Sequence, residues 1–188
     1  KYVDNHSNKA KSLLESNLER LTDDFVRYSL RLQQAFGLRR EEAIKFQPKF
    51  ADRETEILLK GSWCKGGRER TIPITTPEQR HLLDEIHVFC RENNTQSLIP
   101  RHKTYEQQMR TYEYQTAKVG EVKNHGLRHR YAQKRYEELS GLLSPKKGGK
   151  TSRRLSESEK QANQEARLQV SSELGHNREE ITAVYLGR

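Results

Sequence analysis

Five short islands between Gly37 and Tyr185 carry the side chains of this 188-residue chain that could act together in a reaction. In order they are Gly37-Leu38-Arg39, Lys65-Gly66-Gly67, His125-Gly126-Leu127-Arg128-His129, Leu174-Gly175-His176 and Tyr185. Cleavage of a phosphodiester by an enzyme nucleophile has three needs. Charge must be stabilised on the non-bridging oxygens, the nucleophile must be oriented, and the leaving oxygen must receive a proton. Arginine meets the first, because its planar fork binds two phosphate oxygens and stays charged; Arg39 and Arg128 are the candidates. Lysine or histidine supplies a proton, and tyrosine is a competent covalent nucleophile. Such a set needs no metal and no other cofactor.

Taken singly, each residue has a plainer explanation. Arg39 stands beside Arg40, Glu41 and Glu42, as an ordinary helix-surface arginine would, and Lys65 alone is a solvated turn lysine. His176 could merely follow a helix end, where the dipole favours a histidine, and Tyr185 is one of eight tyrosines. His125 and His129 have the four-residue spacing of a zinc pair. No glutamate follows His125 and no third ligand stands at a recognisable offset, so no metal is expected. His129 is expected to support the site or to pack. Gly66-Gly67 lacks the spacing of a nucleotide-binding loop, and Cys64 and Cys90 form neither a ligand pair nor a disulfide framework.

Composition narrows the partner. The net charge is +9 and the pI near 9.6, which favours a polyanion, with nucleic acid the default. The length suits one domain, and a content of 32% hydrophobic and 32% charged residues implies a modest core under a charged surface. No apolar run is long enough to span a membrane, and two thiols fit a reducing compartment, so a cytoplasmic, DNA-associated protein is expected.

Several elements must position these residues. Helical periodicity runs through residues 11–32, with Thr22 as the expected cap of a second helix from Asp23. A further helix spans Arg39 to Phe46 and ends before Pro48. Residues 49–75 read as a small three-stranded antiparallel sheet whose last hairpin turns at Lys65-Gly66-Gly67. Thr76-Pro77 opens a helix over 77–91, and Tyr105, Met109 and Tyr112 mark another over 103–117 as core residues. Helices are also expected over 125–139, over 158–174 up to the stop at Gly175, and over 178–185. Residues 1–10 should fray. Residues 141–160 read as a flexible basic insertion, with Lys146, Lys147, Lys150, Arg153 and Arg154 as phosphate contacts. The fold class is therefore α+β and mainly helical, one domain over 1–188.

The five islands together resemble the catalytic domain of the tyrosine recombinase (phage integrase) family. That pattern joins an arginine at a Gly-Leu-Arg helix start, a lysine in a β-hairpin turn, His-x-x-Arg, Leu-Gly-His, and a tyrosine nine residues later; here 185 − 176 = 9. The resemblance implies that Tyr185 attacks the scissile phosphate to form a 3′-phosphotyrosyl link and that Lys65 protonates the departing 5′ oxygen. It further implies that Arg39 and Arg128 clamp the phosphate, that His125 and His176 hydrogen-bond it or shuttle protons, and that Glu42 supports Arg39. Double-stranded DNA would be the partner, for integration or excision of a mobile element. The full-length protein would form a homo-oligomer, a tetramer on DNA, while the isolated domain would be a monomer. Two departures stand out. The stretch before Leu-Gly-His is long and basic, and the family's N-terminal DNA-clamping domain is expected to be absent from these residues. Relaxation of DNA without strand exchange would mark a type IB topoisomerase instead, and unchanged biological effect of Tyr185→Phe would mark a non-cleaving DNA-binding protein of the same fold.

Overall fold

The computed structural model describes residues 7–176 and 179–188. Residues 1–6 of the stretch expected to fray, and residue 178 at the start of the expected last helix, lie outside the described residues. Within the described part of the N-terminal stretch, the Asn8 side chain pairs with Gln133, and the Lys11 N–H donates to the Gly126 carbonyl at 3.1 Å.

The first helical stretch divides into α1 (Glu15–Glu19) and α2 (Asp24–Phe36). Asp23 rather than Thr22 caps α2, its carboxylate accepting from the Val26 N–H at 3.0 Å. Thr22 is occupied elsewhere, by the Gln115 amide. The chain continues through α3 (Arg40–Ile44) and α4 (Pro48–Ala51), with Pro48 in the first turn of α4 where its missing N–H costs nothing.

Strands β1 (Glu56–Leu59) and β2 (Arg70–Pro73) pair antiparallel, with Glu56 opposite Pro73 and Leu59 opposite Arg70. The expected sheet of three strands has two among the described residues. Asp52 adds only an isolated bridge to Ile57. The connection between the strands winds through a 3-10 turn at Gly61–Trp63 and a tight turn in which the Gly67 N–H donates to the Cys64 carbonyl. The connection folds closely onto itself: a Cβ on Gly61 would lie 2.5 Å from the Gly67 carbonyl oxygen.

Helix α5 (Pro77–Glu92) begins at a reciprocal Thr76–Gln79 capping box, and α6 (Tyr105–Lys118) at a Thr104–Gln107 box. Then come α7 (His125–Ser140), 3-10 turns at Pro145–Lys147 and Ser152–Arg154, and α8 (Glu157–Glu173). A 3-10 turn at Glu179–Thr182 runs into α9 (Ala183–Leu186), which carries Tyr185.

Two apolar clusters hold these parts together. The larger joins Leu32, Phe36, Ile57, Ile72, Leu83, Tyr136, Val170 and Leu174; the smaller joins Leu18, Val26, Leu30, Tyr112 and Leu127. Helix α2 feeds both clusters from different faces, which is why it is largely buried. Tyr112 is core, as its helical spacing predicts, and its hydroxyl donates to Gln33.

Helix α8 ends in a complete Schellman motif: the His176 N–H donates to the Ser171 carbonyl at 2.9 Å and the Gly175 N–H to the Ser172 carbonyl at 2.8 Å. Gly175 is left-handed at φ 68°, and a Cβ there would lie 2.9 Å from Cδ of Arg70. Gly175→Ala should therefore lower the unfolding free energy by about 1–2 kcal/mol, the cost of a side chain in this region. Urea unfolding should show this as a lower midpoint at unchanged slope.

Candidate active site

The C-terminal turn of α8 is where the sequence-distant cations meet. Its last carbonyls have no partners within the helix and carry the negative end of the helix dipole. The Glu173 carbonyl accepts from Arg70 Nε at 2.8 Å. The Leu174 carbonyl accepts from Arg128 Nη2 and, at 3.5 Å, from Arg39 Nη2. Arg128 Nη1 reaches a second helix end, donating at 2.6 Å to the carbonyl of Gly37, the C-cap of α2. Arg128 is 1% exposed, and among the described residues no carboxylate hydrogen-bonds to it. The negative ends of two helix dipoles offset it in part instead. Burial pulls this guanidinium below its ordinary value, Tyr185 and the nearby Glu42 carboxylate push it up, and Arg39 and Arg70 pull it down; it remains a cation at any ordinary pH.

Glu42 ties two further arginines together. Its Oε1 accepts from Arg39 Nη1 at 2.9 Å and Arg70 Nη1 at 2.7 Å; its Oε2 accepts from the Arg39 N–H and from Arg70 Nη2, both at 2.7 Å. Helix geometry makes the first contact possible: Arg39 is the N-cap of α3 and Glu42 its third residue, placed to reach back. Burial alone would raise the Glu42 carboxyl, but the Arg70 hydrogen bonds and charge, with Arg128 and the Arg39 N–H, hold it down at about 2.

Tyr185 completes the cluster from α9. It is 4% exposed, and its hydroxyl lies 3.2 Å from Arg128 Nε and 3.4 Å from His176 Nε2. The His129 ring packs 4.7 Å from the Tyr185 ring and 5.4 Å from that of His125, so His129 supports the phenol from beneath. Burial, then neighbouring positive charge, lowers all three imidazoles: His176 and His129 to about 4, and His125 below its ordinary value. They are neutral at pH 7. Arg128 Nη2 lies 3.5 Å from His176 Nε2 and can only donate, an arrangement that favours the tautomer with its proton on Nδ1. A lone pair thus faces the tyrosine hydroxyl. A cavity of about 490 Å³ opens beside Arg39 and His125, lined also by Leu38, Lys123 and Asn124.

Arg39, Glu42, His125, Arg128, His176 and Tyr185 therefore converge; Lys65 does not. Lys65 is exposed in its turn, with no hydrogen bond or ion pair to the cluster among the described residues. The basic stretch also differs from a free loop. Lys146 Nζ donates to the Val184 carbonyl, Lys147 pairs with Glu137 and Lys150 with Glu159, while Arg153 and Arg154 are exposed. Arg70 escaped the sequence reading. Its signal was register: in β2 it shares the inward face with Ile72, and a charged residue on a buried strand face needs a partner. Among the described residues no three His, Cys, Asp or Glu side chains gather as a metal site, and no helix is long and apolar enough to cross a membrane.

A family model described as integrase matches residues 5–134, which include every candidate site residue up to Arg128. Among solved structures, the chain is similar to the XerH site-specific recombinase bound to its palindromic difH substrate in a post-cleavage complex. The TM-score is 0.55 at 16% identity, covering 98% of this chain and 51% of the other, so the chain spans about half the length of that recombinase. The likeness is one of fold. A search of the curated proteins gave no match.

The shared carboxylate gives a pH prediction. Because the folded Glu42 value lies below its ordinary 4.5, its stabilisation is complete above about 4.5 and fades as pH falls towards about 2. Glu42→Gln leaves Arg70 buried and unpaired and should cost roughly 3–5 kcal/mol. Acid titration of unfolding should show a flatter profile for the variant in that window.

Proposed function

We propose, for a chain that belongs to the integrase family, that it cuts and rejoins DNA strands at specific sites through a covalent bond to Tyr185. The observation that carries this is the Tyr185 hydroxyl held between Arg128 Nε and His176 Nε2, over a buried guanidinium with no carboxylate among its hydrogen-bond partners in the described residues. An arginine offset only in part by helix-end carbonyls still attracts an incoming anion, and a phosphodiester is the anion that a tyrosine nucleophile serves.

In this mechanism the phosphate enters beside Arg39 and His125, and Arg39 and Arg128 bind its non-bridging oxygens. Tyr185 attacks phosphorus as His176 accepts the phenolic proton, a 3′-phosphotyrosyl bond forms, and the 5′ oxygen leaves with a proton from Lys65. Lys65 must swing in from its exposed turn when DNA arrives. A free 5′ hydroxyl reverses the steps, so the bond energy is kept. His125 hydrogen-bonds the phosphate, and Lys147, Lys150, Arg153 and Arg154 exchange water or weak surface ion pairs for backbone phosphates. The setting is integration or excision of a mobile element by an oligomer on DNA. The DNA-bound state of the XerH structure supports DNA as the partner.

Tyr185→Phe should abolish SDS-resistant adducts on nicked duplexes while DNA binding persists; adducts from the phenylalanine variant would remove Tyr185 as nucleophile. Arg128→Lys should slow cleavage on the order of 10²-fold, the loss typical of one preorganised anion donor, and near-normal single-turnover rates would exclude the clamp role. DNA affinity should fall steeply with salt, as phosphate contacts require.

A further inference from the structure

We propose that the segment 144–149 is a seat for the nucleophile helix and that Lys146 is a positioning residue for Tyr185, not a phosphate contact. The proposal rests on Tyr185 as the nucleophile. Helix α9 is four residues long and cannot hold itself by its own ladder. Its Ala183 carbonyl accepts from the Gly187 N–H. The next carbonyls are met from outside: Val184 by Lys146 Nζ at 2.8 Å, Tyr185 by Gln133 Nε2 at 3.0 Å, and Gly187 by Arg167 Nη2 at 2.8 Å. Three donors from separate parts of the chain thus fix the backbone that carries the phenol, and two of them, Lys146 and Arg167, are cations at a helix C-terminus, where the dipole favours them.

The seat is itself rigid. The Ser144 carbonyl accepts from the Lys147 and Gly149 N–H groups at 2.8 and 3.0 Å, and the Pro145 carbonyl accepts from the Gly148 N–H. It also touches α9 through a position that excludes side chains. Gly187 is at φ 84°, and a Cβ there would lie 3.0 Å from Pro145 Cβ and 3.2 Å from Lys146 Cγ. The basic stretch that composition assigns to DNA therefore spends its first lysine on the protein's own backbone.

The test compares the protein with its Lys146→Met, Lys146→Arg and Lys160→Met variants. Methionine keeps the stem and removes the ammonium, arginine restores a charged donor, and Lys160 is an exposed control paired with Glu157. Hydrogen exchange is followed at the amides of 183–187 without DNA, together with DNA affinity and the single-turnover adduct rate at saturating nicked duplex. In Lys146→Met, exchange should quicken and the adduct rate should fall, each about tenfold, the equivalent of one charge-assisted hydrogen bond. Affinity should be unchanged, arginine should restore both readouts, and Lys160→Met should match the parent. Unchanged exchange in Lys146→Met overturns the seat, and so does weakened DNA affinity with an unchanged adduct rate. Because exchange needs no cleavage, it decides the seat even if the parent forms no Tyr185 adduct, an outcome that would instead sink the proposed chemistry.

Discussion

Everything near the site depends on how positive charge is buried without being cancelled. Arg128 sits inside the protein against carbonyl oxygens from the ends of α2 and α8. A carboxylate in their place would neutralise it fully and leave little attraction for a phosphate. Partial charges on helix ends lower the cost of burial while leaving a positive potential at the surface of the cluster. The full carboxylate, Glu42, accepts its hydrogen bonds from Arg39 and Arg70 and acts on Arg128 only through its field. That division lets Arg70 serve as scaffold while Arg39, partly exposed, faces the cavity.

The same potential sets the protonation of the histidines. Three imidazoles beside two or three guanidiniums cannot all be charged in a buried site, and burial pushes them further towards neutrality. Neutral rings can accept a proton, which suits a step that begins by deprotonating a phenol.

Much of this was legible from the residues. The Thr76-Pro77 start of α5, the stop at Gly175 and the helical pattern of 125–139 are signals carried within a few neighbouring positions, and local physics decides them. The meeting of Arg39, His125, Arg128, His176 and Tyr185 could be expected because their types and order match one chemistry. What stayed hidden involves long-range partners. Arg70 pairs with a carboxylate 28 residues upstream and a carbonyl 103 residues downstream, and neither marks the strand locally. Lys146 meets a backbone carbonyl, a group every residue has, so no pattern of side chains points to it. The expected third strand is replaced by a connection in which Gly61 and Gly67 approach closely, a contact between backbones that composition does not reveal.

The bidentate grip of Glu42 on Arg70 has a mechanical consequence for the hairpin. Arg70 opens β2 and is pinned to α3 and to the end of α8, so the strand is a fixed post beside the cluster. Lys65 stands five positions before that post, on a leash no longer than about 17 Å when fully extended. A group on so short a leash revisits its target at an effective concentration on the order of millimolar. In the proposed mechanism the ammonium can thus stay out in water between reactions and still be delivered without a partner molecule to carry it.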